Sequence, residues 1–119
     1  MLENLNKLSL GWVVGFLEGE GHFTLNKNTP KSPNAHYTAY AAVGATQKTI
    51  EPLEWLQEMF GGKITKRKNG VHEWELESIN AIDLAKELQP YMSSRRQKQI
   101  QAVIDGEVRI RRGAEAPQS

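Results

Sequence analysis

Residues 11–21, reading Gly-Trp-Val-Val-Gly-Phe-Leu-Glu-Gly-Glu-Gly, constrain this chain most, because their apolar spacing calls for a helix and their glycine content opposes one. Gly11, Gly15 and Gly19 recur every four residues and fall on one helical stripe. Three interior glycines cost an isolated helix on the order of 3 kcal/mol relative to alanine, so close backbone approach to another helix is the expected compensation. The stripe ends at two carboxylates, Glu18 and Glu20, where Gly21 is expected to stop the helix. The two acids lie about 200° apart around a helix, so they serve different partners. Carbonyls at a helix C-terminus already carry the negative end of the macrodipole, which misplaces Glu20 unless a cation compensates. Glu20 is therefore a candidate ligand for a hard divalent ion such as Mg²⁺, a solvated helix end being the other reading.

The segments around this helix switch period in a regular order. The helix itself is expected from about Ser9, read as its N-cap, to about Glu20. From His22 to Asn28 apolar and polar residues alternate as in a half-buried strand, Asn28 to Asn34 has turn composition, and Ala35 to Thr46 reads as a returning strand. Thr46 or Thr49 can cap a helix through Phe60, with Pro52 in its first turn and Gly61-Gly62 closing it. Lys63–Lys68 and Val71–Glu77 form a second hairpin about Asn69-Gly70, a pair in which both residues accept positive φ. Ser78 can cap a helix that stops before Pro90, and a last helix runs from Ser93 or Ser94 to about Gly106. This predicts an α+β domain of αββαββαα order over residues 1–108, with a four-stranded antiparallel sheet covered by helices on one face. A basic, flexible tail is expected over 109–119.

The open sheet face is expected to carry Thr24, Asn26, Asn28, His36, Thr38 and Tyr40 from the first hairpin and Lys63, Thr65, Arg67, Glu73, Glu75 and Glu77 from the second. A two-stranded ribbon of such side chains fits the major groove, where Asn, Arg, Thr and Glu read distinct base edges, although a solvated sheet face is polar in most antiparallel proteins. A formal charge of +1 over 119 residues gives no whole-molecule basic signature, so any nucleic-acid site must gather its cations on one face. There is no cysteine, hence no disulfide framework, and His22, His36 and His72 lack zinc-ligand spacing. No apolar run reaches the roughly 18 residues of a membrane span, and the start lacks a signal-peptide pattern. A cytoplasmic or organellar location (chloroplast or mitochondrion), with no secretion and no membrane partner, is expected. Trp12 and Trp55 read as core or interface residues, and Trp74 as the buried side of its strand.

Val13 to Gly21 resembles the LAGLIDADG motif: an apolar pair, a small residue, two apolar residues, an acid, a small residue, an acid and a glycine. The resemblance is to the single-motif, homodimeric homing endonucleases and covers roughly residues 8 to 106, including Thr46-Gln47-Lys48-Thr49, Leu88-Gln89-Pro90 and Gln97-Lys98-Gln99. It implies a site-specific, metal-dependent DNA endonuclease that makes double-strand breaks at a long palindromic or pseudo-palindromic target. The alternative is a catalytically weak or inactive DNA-binding relative or an RNA maturase. Glu20 would bind Mg²⁺, with Mn²⁺ or Ca²⁺ able to occupy the site, assisted by the Gly19 carbonyl. Gln47 would orient solvent, and Arg96 or Lys98 would stabilise phosphate charge. Gly11, Trp12, Gly15, Phe16 and Gly19 would form the dimer interface. His22, Lys31, Ser32, Asn34, Gly44, Thr46 and Lys68 join the sheet-face residues named above, Glu77 excepted, as expected contacts to double-stranded DNA. No small-molecule cofactor is implied. The sequence departs from the resemblance at Glu51, where relatives tend to carry a base.

Overall fold

The computed structural model describes residues 1–28 and 38–115. Helix α1 (Lys7–Glu20) starts earlier than expected: Asn6 is extended and its side-chain oxygen accepts the Ser9 N–H at 2.8 Å, so Ser9 is the capped residue and Asn6 the cap. Val13 and Leu17 are its buried positions. Strand β1 (Gly21–Asn28) follows with no intervening loop. Gly21 is extended at φ −76°, and its glycine identity answers crowding instead: a Cβ there would sit 2.5 Å from the Leu17 carbonyl oxygen.

Strand β2 (Thr38–Gln47) returns antiparallel, with Gly21 opposite Ala45 and Asn28 opposite Thr38. Thr46 still pairs with Glu73 inside the sheet and cannot cap the next helix. Neither it nor Thr49 does: helix α2 (Glu51–Phe60) follows Ile50 with no side-chain cap, its first amides bonding to the Ile50 carbonyl. Gly61 and Gly62, at φ +81° and +93°, turn the chain into β3 (Lys63–Lys66). The hairpin to β4 (His72–Glu77) differs from the expected two-residue turn, because only Gly70 is left-handed, at φ +83°. Gly70 N–H donates to the Arg67 carbonyl and the Asn69 side chain accepts from Val71 N–H, the bonding of a longer loop with a bulge.

Helix α3 (Ser78–Leu88) also lacks a side-chain cap, and Ser78 itself takes φ +60° at the strand-to-helix junction. A 3₁₀ turn at Gln89–Tyr91 leads to α4 (Ser94–Glu115). The expected tail is therefore helical to Glu115. Residues 107–112, Glu-Val-Arg-Ile-Arg-Arg, contain no breaker.

The sheet order is β1-β2-β4-β3. Phe23, Val43, Ala45, Trp74 and Leu76 face the helices and join Leu53, Leu56, Leu84, Leu88, Ile100 and Val103 in one core. Trp74 is fully buried and its indole N–H donates to the Gly61 carbonyl at 2.8 Å. The other sheet face is free of helices, giving the αββαββαα architecture expected. Among the described residues no helix is long and apolar enough to cross a membrane.

Candidate active site and nucleic-acid interface

Glu18 and Glu20 separate as the helical geometry requires. Glu18 turns to the start of α4, where its carboxylate accepts the Ser93 N–H at 2.7 Å and the Ser93 hydroxyl at 2.8 Å. These bonds, the Ser93 N–H foremost, hold its carboxyl below the ordinary range. Ser93 Oγ in turn accepts the Arg96 N–H at 3.3 Å, completing the cap of α4. Glu20, the last residue of α1, is exposed, and its side chain has neither a hydrogen bond nor an ion pair among the described residues.

Arg96 is only 8% exposed. Its Nε donates to the Glu18 carbonyl at 3.0 Å, its Nη1 donates to the Gln99 side chain at 2.9 Å, and the guanidinium lies 5.9 Å from the Phe23 ring centre. Phe23 belongs to the helix-covered side of the sheet, and the Arg96 charge also reaches His22 on the open face. The burial of Arg96 was readable in sequence, since Arg96, Ile100 and Val103 fall at the i, i+4, i+7 spacing of a buried stripe. Lys98 is exposed, as is Arg95, a cation absent from the sequence-based expectation. Gln47 extends β2 two residues beyond the Gly21–Ala45 pair, alongside the end of α1, and is half-buried. The fragments Leu88-Gln89-Pro90 and Gln97-Lys98-Gln99 meet: the Gln89 amide donates to the Gln97 carbonyl at 3.1 Å, and Gln97 donates back to Gln89 at 3.0 Å.

The glycine stripe faces outward. A Cβ added at Gly11, Gly15 or Gly19 would meet nothing within 4 Å. Leu8, 86% exposed, lies on the same side, and Trp12 stacks on Phe16 at 5.0 Å and meets Trp55, itself 48% exposed, edge-on at 5.4 Å.

On the open sheet face, His22, Thr24, Asn26, Tyr40, Gly44, Thr46, Lys63, Thr65, Glu73, Glu75 and Glu77 share one side by register. Asn28 and Thr38 are paired by backbone, Lys68 is exposed in the hairpin turn, and Lys31, Ser32, Asn34 and His36 lie outside the described residues. Two cations of this face are paired: Arg67 Nη2 with Glu73 at 2.5 Å, and Lys63 Nζ with Glu77 at 3.0 Å. His22 Nε2 approaches Glu73 at 3.7 Å, and burial pushes the imidazole below its ordinary pKa against the pull of that carboxylate. Burial, then the neighbouring Glu77, push Glu75 up to about 7, whereas Glu77 is held low by a hydrogen bond from Glu75 and by Lys63. His72 serves the fold, its Nδ1 donating to the Lys48 carbonyl at 3.0 Å.

No curated protein matches the sequence significantly. The fold is similar to that of homing endonuclease I-CvuI, solved with the I-CreI target in the presence of Mg with the DNA not cleaved (21% identity, TM-score 0.70, 83% of this chain and 65% of that one). I-CvuI with its own target in the presence of Ca aligns at 20% identity and TM-score 0.77 over 91% of this chain and 71% of that one. The archaeal intron-encoded homing endonuclease I-Vdi141I, complexed with DNA, aligns at 19% identity and TM-score 0.67 over 86% and 70%. At such identities the likeness is one of fold, and this chain spans 65% of the length of the first of these proteins. A family model described as LAGLIDADG endonuclease matches residues 13–106. That match takes in the end of α1, the whole sheet and the start of α4, every element that frames Glu20, and the chain belongs to the LAGLIDADG endonuclease family.

Proposed function

We propose that the protein is a site-specific DNA endonuclease that works as a homodimer, making double-strand breaks at a long palindromic or pseudo-palindromic target by divalent-metal-dependent phosphodiester hydrolysis. The observation that carries this reading is the exposed, unpaired Glu20 carboxylate at the end of a helix whose glycine stripe lies open. A second copy of α1 packed on that stripe would bring two Glu20 side chains together, and like charges at close range call for cations between them. The Glu20 carboxylate and the Gly19 carbonyl are hard oxygen donors suited to Mg²⁺. Among the described residues of one chain no group of three His, Cys, Asp or Glu could hold a metal, so the partner's carboxylate and DNA phosphates would complete the set.

When bound, such ions supply water activation and stabilisation of the leaving oxygen. Glu20 would hold them, the Gln47 amide would orient solvent beside the end of α1, and exposed Arg95 and Lys98 at the start of α4 would supply charge to the phosphate. Thr24, Asn26, Tyr40, Thr46, Thr65 and Arg67 face base edges. Two-fold symmetry of the dimer makes the target palindromic. A DNA-binding protein with weak cleavage is the second reading, favoured by the pairing of Lys63 and Arg67 within their own face.

Selection of cleaved sites from a palindromic DNA library, with and without Mg²⁺, tests the first reading. Wild type is expected to cleave only with Mg²⁺, and Glu20→Gln to bind the recovered site while cleaving it at least about a hundredfold more slowly. Full cleavage by Glu20→Gln removes Glu20 from the mechanism, and binding without cleavage by wild type selects the second reading.

A further inference from the structure

Glu18 and Arg96 stand at the wrong ends of their own helices. Glu18 lies in the last turn of α1, where a carboxylate opposes the dipole, and Arg96 lies in the first turn of α4, where a cation does. Each is right for the other helix. The Glu18 carboxylate meets the positive end of α4 through two hydrogen bonds from Ser93, and the Arg96 guanidinium meets the negative end of α1 by donating to the Glu18 carbonyl at 3.0 Å. The two side chains also approach each other, Nε to Oε2 at 3.9 Å. Gly21 N–H takes the Leu17 carbonyl, so the Leu17 and Glu18 carbonyls are both satisfied at the point where α1 ends. Gln99 holds the far side of the guanidinium at 2.9 Å, and Phe23 lies against it.

We propose that Glu18 and Arg96 are positioning residues, a reciprocal clasp of two helix ends that fixes the last turn of α1 and thereby the Gly19 carbonyl and the Glu20 carboxylate. The proposal rests on the endonuclease reading only where it takes Glu20 as a cation ligand, and two separate readouts keep these parts distinguishable.

The first readout is hydrogen exchange at the Gly19, Glu20 and Gly21 amides of the full chain without metal. The second is the ¹³C shift of the Glu20 side-chain carboxyl during a Ca²⁺ titration of the DNA-bound protein, since one chain alone lacks a full ligand set. In Arg96→Met, which keeps the buried volume and loses the donors, exchange at those three amides is expected to rise about tenfold, the effect of one charge-assisted hydrogen bond. Exchange at Val43 and Ala45 in β2 stays at the wild-type rate, and half-saturation by Ca²⁺ moves up by a similar factor. Arg96→Lys, which retains the cation, recovers part of both, and it carries the comparison if Arg96→Met does not fold. Glu18→Gln behaves like Arg96→Met.

Unchanged exchange at Gly19–Gly21 in both Arg96→Met and Glu18→Gln overturns the clasp. So does acceleration spread equally over β2, which marks an ordinary stability contribution. DNA-bound wild-type protein whose Glu20 carboxyl ignores Ca²⁺, with exchange still freed locally in Arg96→Met, supports the clasp and overturns Glu20 as a ligand.

Discussion

Gly44 lacks a side chain because His22 occupies its space. A Cβ at Gly44 would sit 2.3 Å from His22 Cε1 and 2.8 Å from the Trp74 carbonyl oxygen, and the latter belongs to a paired backbone that cannot retreat. Gly44→Ala is expected to lower stability by about 1–3 kcal/mol in urea unfolding, as overpacking does. His22→Ala in the same chain recovers part of that loss and leaves the share due to the Trp74 carbonyl, a coupling that a double-mutant cycle measures. The sequence places Gly44 among DNA contacts because nothing local reveals that its neighbour across the ladder is a half-buried imidazole. Glu18 and Glu20 are the opposite case: a helical angle alone separates their roles, and only the identity of Glu18's partner, Ser93, 75 residues away, requires the fold.

Strand β4 lines up Glu73, Glu75 and Glu77 on the open face, and the middle one is pushed up from the ordinary 4.5 to about 7 by burial and by its neighbours. The folded chain thus retains a proton that the unfolded chain has released, so stability falls as pH rises from about 4.5 to about 7. Glu77 is held low and works the other way: its contribution is present above 4.5 and is lost only as pH falls below it, which keeps the two windows apart. Glu75→Gln is expected to flatten the fall in thermal midpoint across the upper window and to leave the acid limb in place. Alternation of apolar and polar residues made β1, β2 and β4 legible, and Trp74 lies on the buried side that this pattern gives it. Element ends were less so, because caps depend on which residue adopts extended backbone: Asn6 and not Ser9 at α1, no side chain at α2 or α3. The hairpin turn failed for a similar reason, since Asn69 uses its side chain to bond Val71 and leaves left-handed φ to Gly70 alone.

In the single chain the glycine stripe is a cost without a return, which gives the proposed dimer an internal test. Gly15→Ala meets nothing within 4 Å and is expected to stabilise the isolated subunit by up to about 1 kcal/mol through helix propensity. The same methyl group would hold two α1 helices apart. Sedimentation equilibrium should therefore show weaker association while unfolding at concentrations below dissociation becomes harder. An unchanged dimer would move the interface elsewhere, to the groove lined by Leu8, Trp12, Trp55 and Met59.

Helix α1 ends at Glu20 and strand β1 begins at Gly21, with no residue between them. Strand side chains alternate, so one inserted residue at that joint would turn Thr24 and Asn26 toward the core and Phe23 toward solvent. In an endonuclease built this way, the distance from the cut to each contacted base is set by covalent bonds. Under the proposed endonuclease reading, exchanging alternate side chains along β1 changes which bases are read and leaves their spacing from Glu20 as it is.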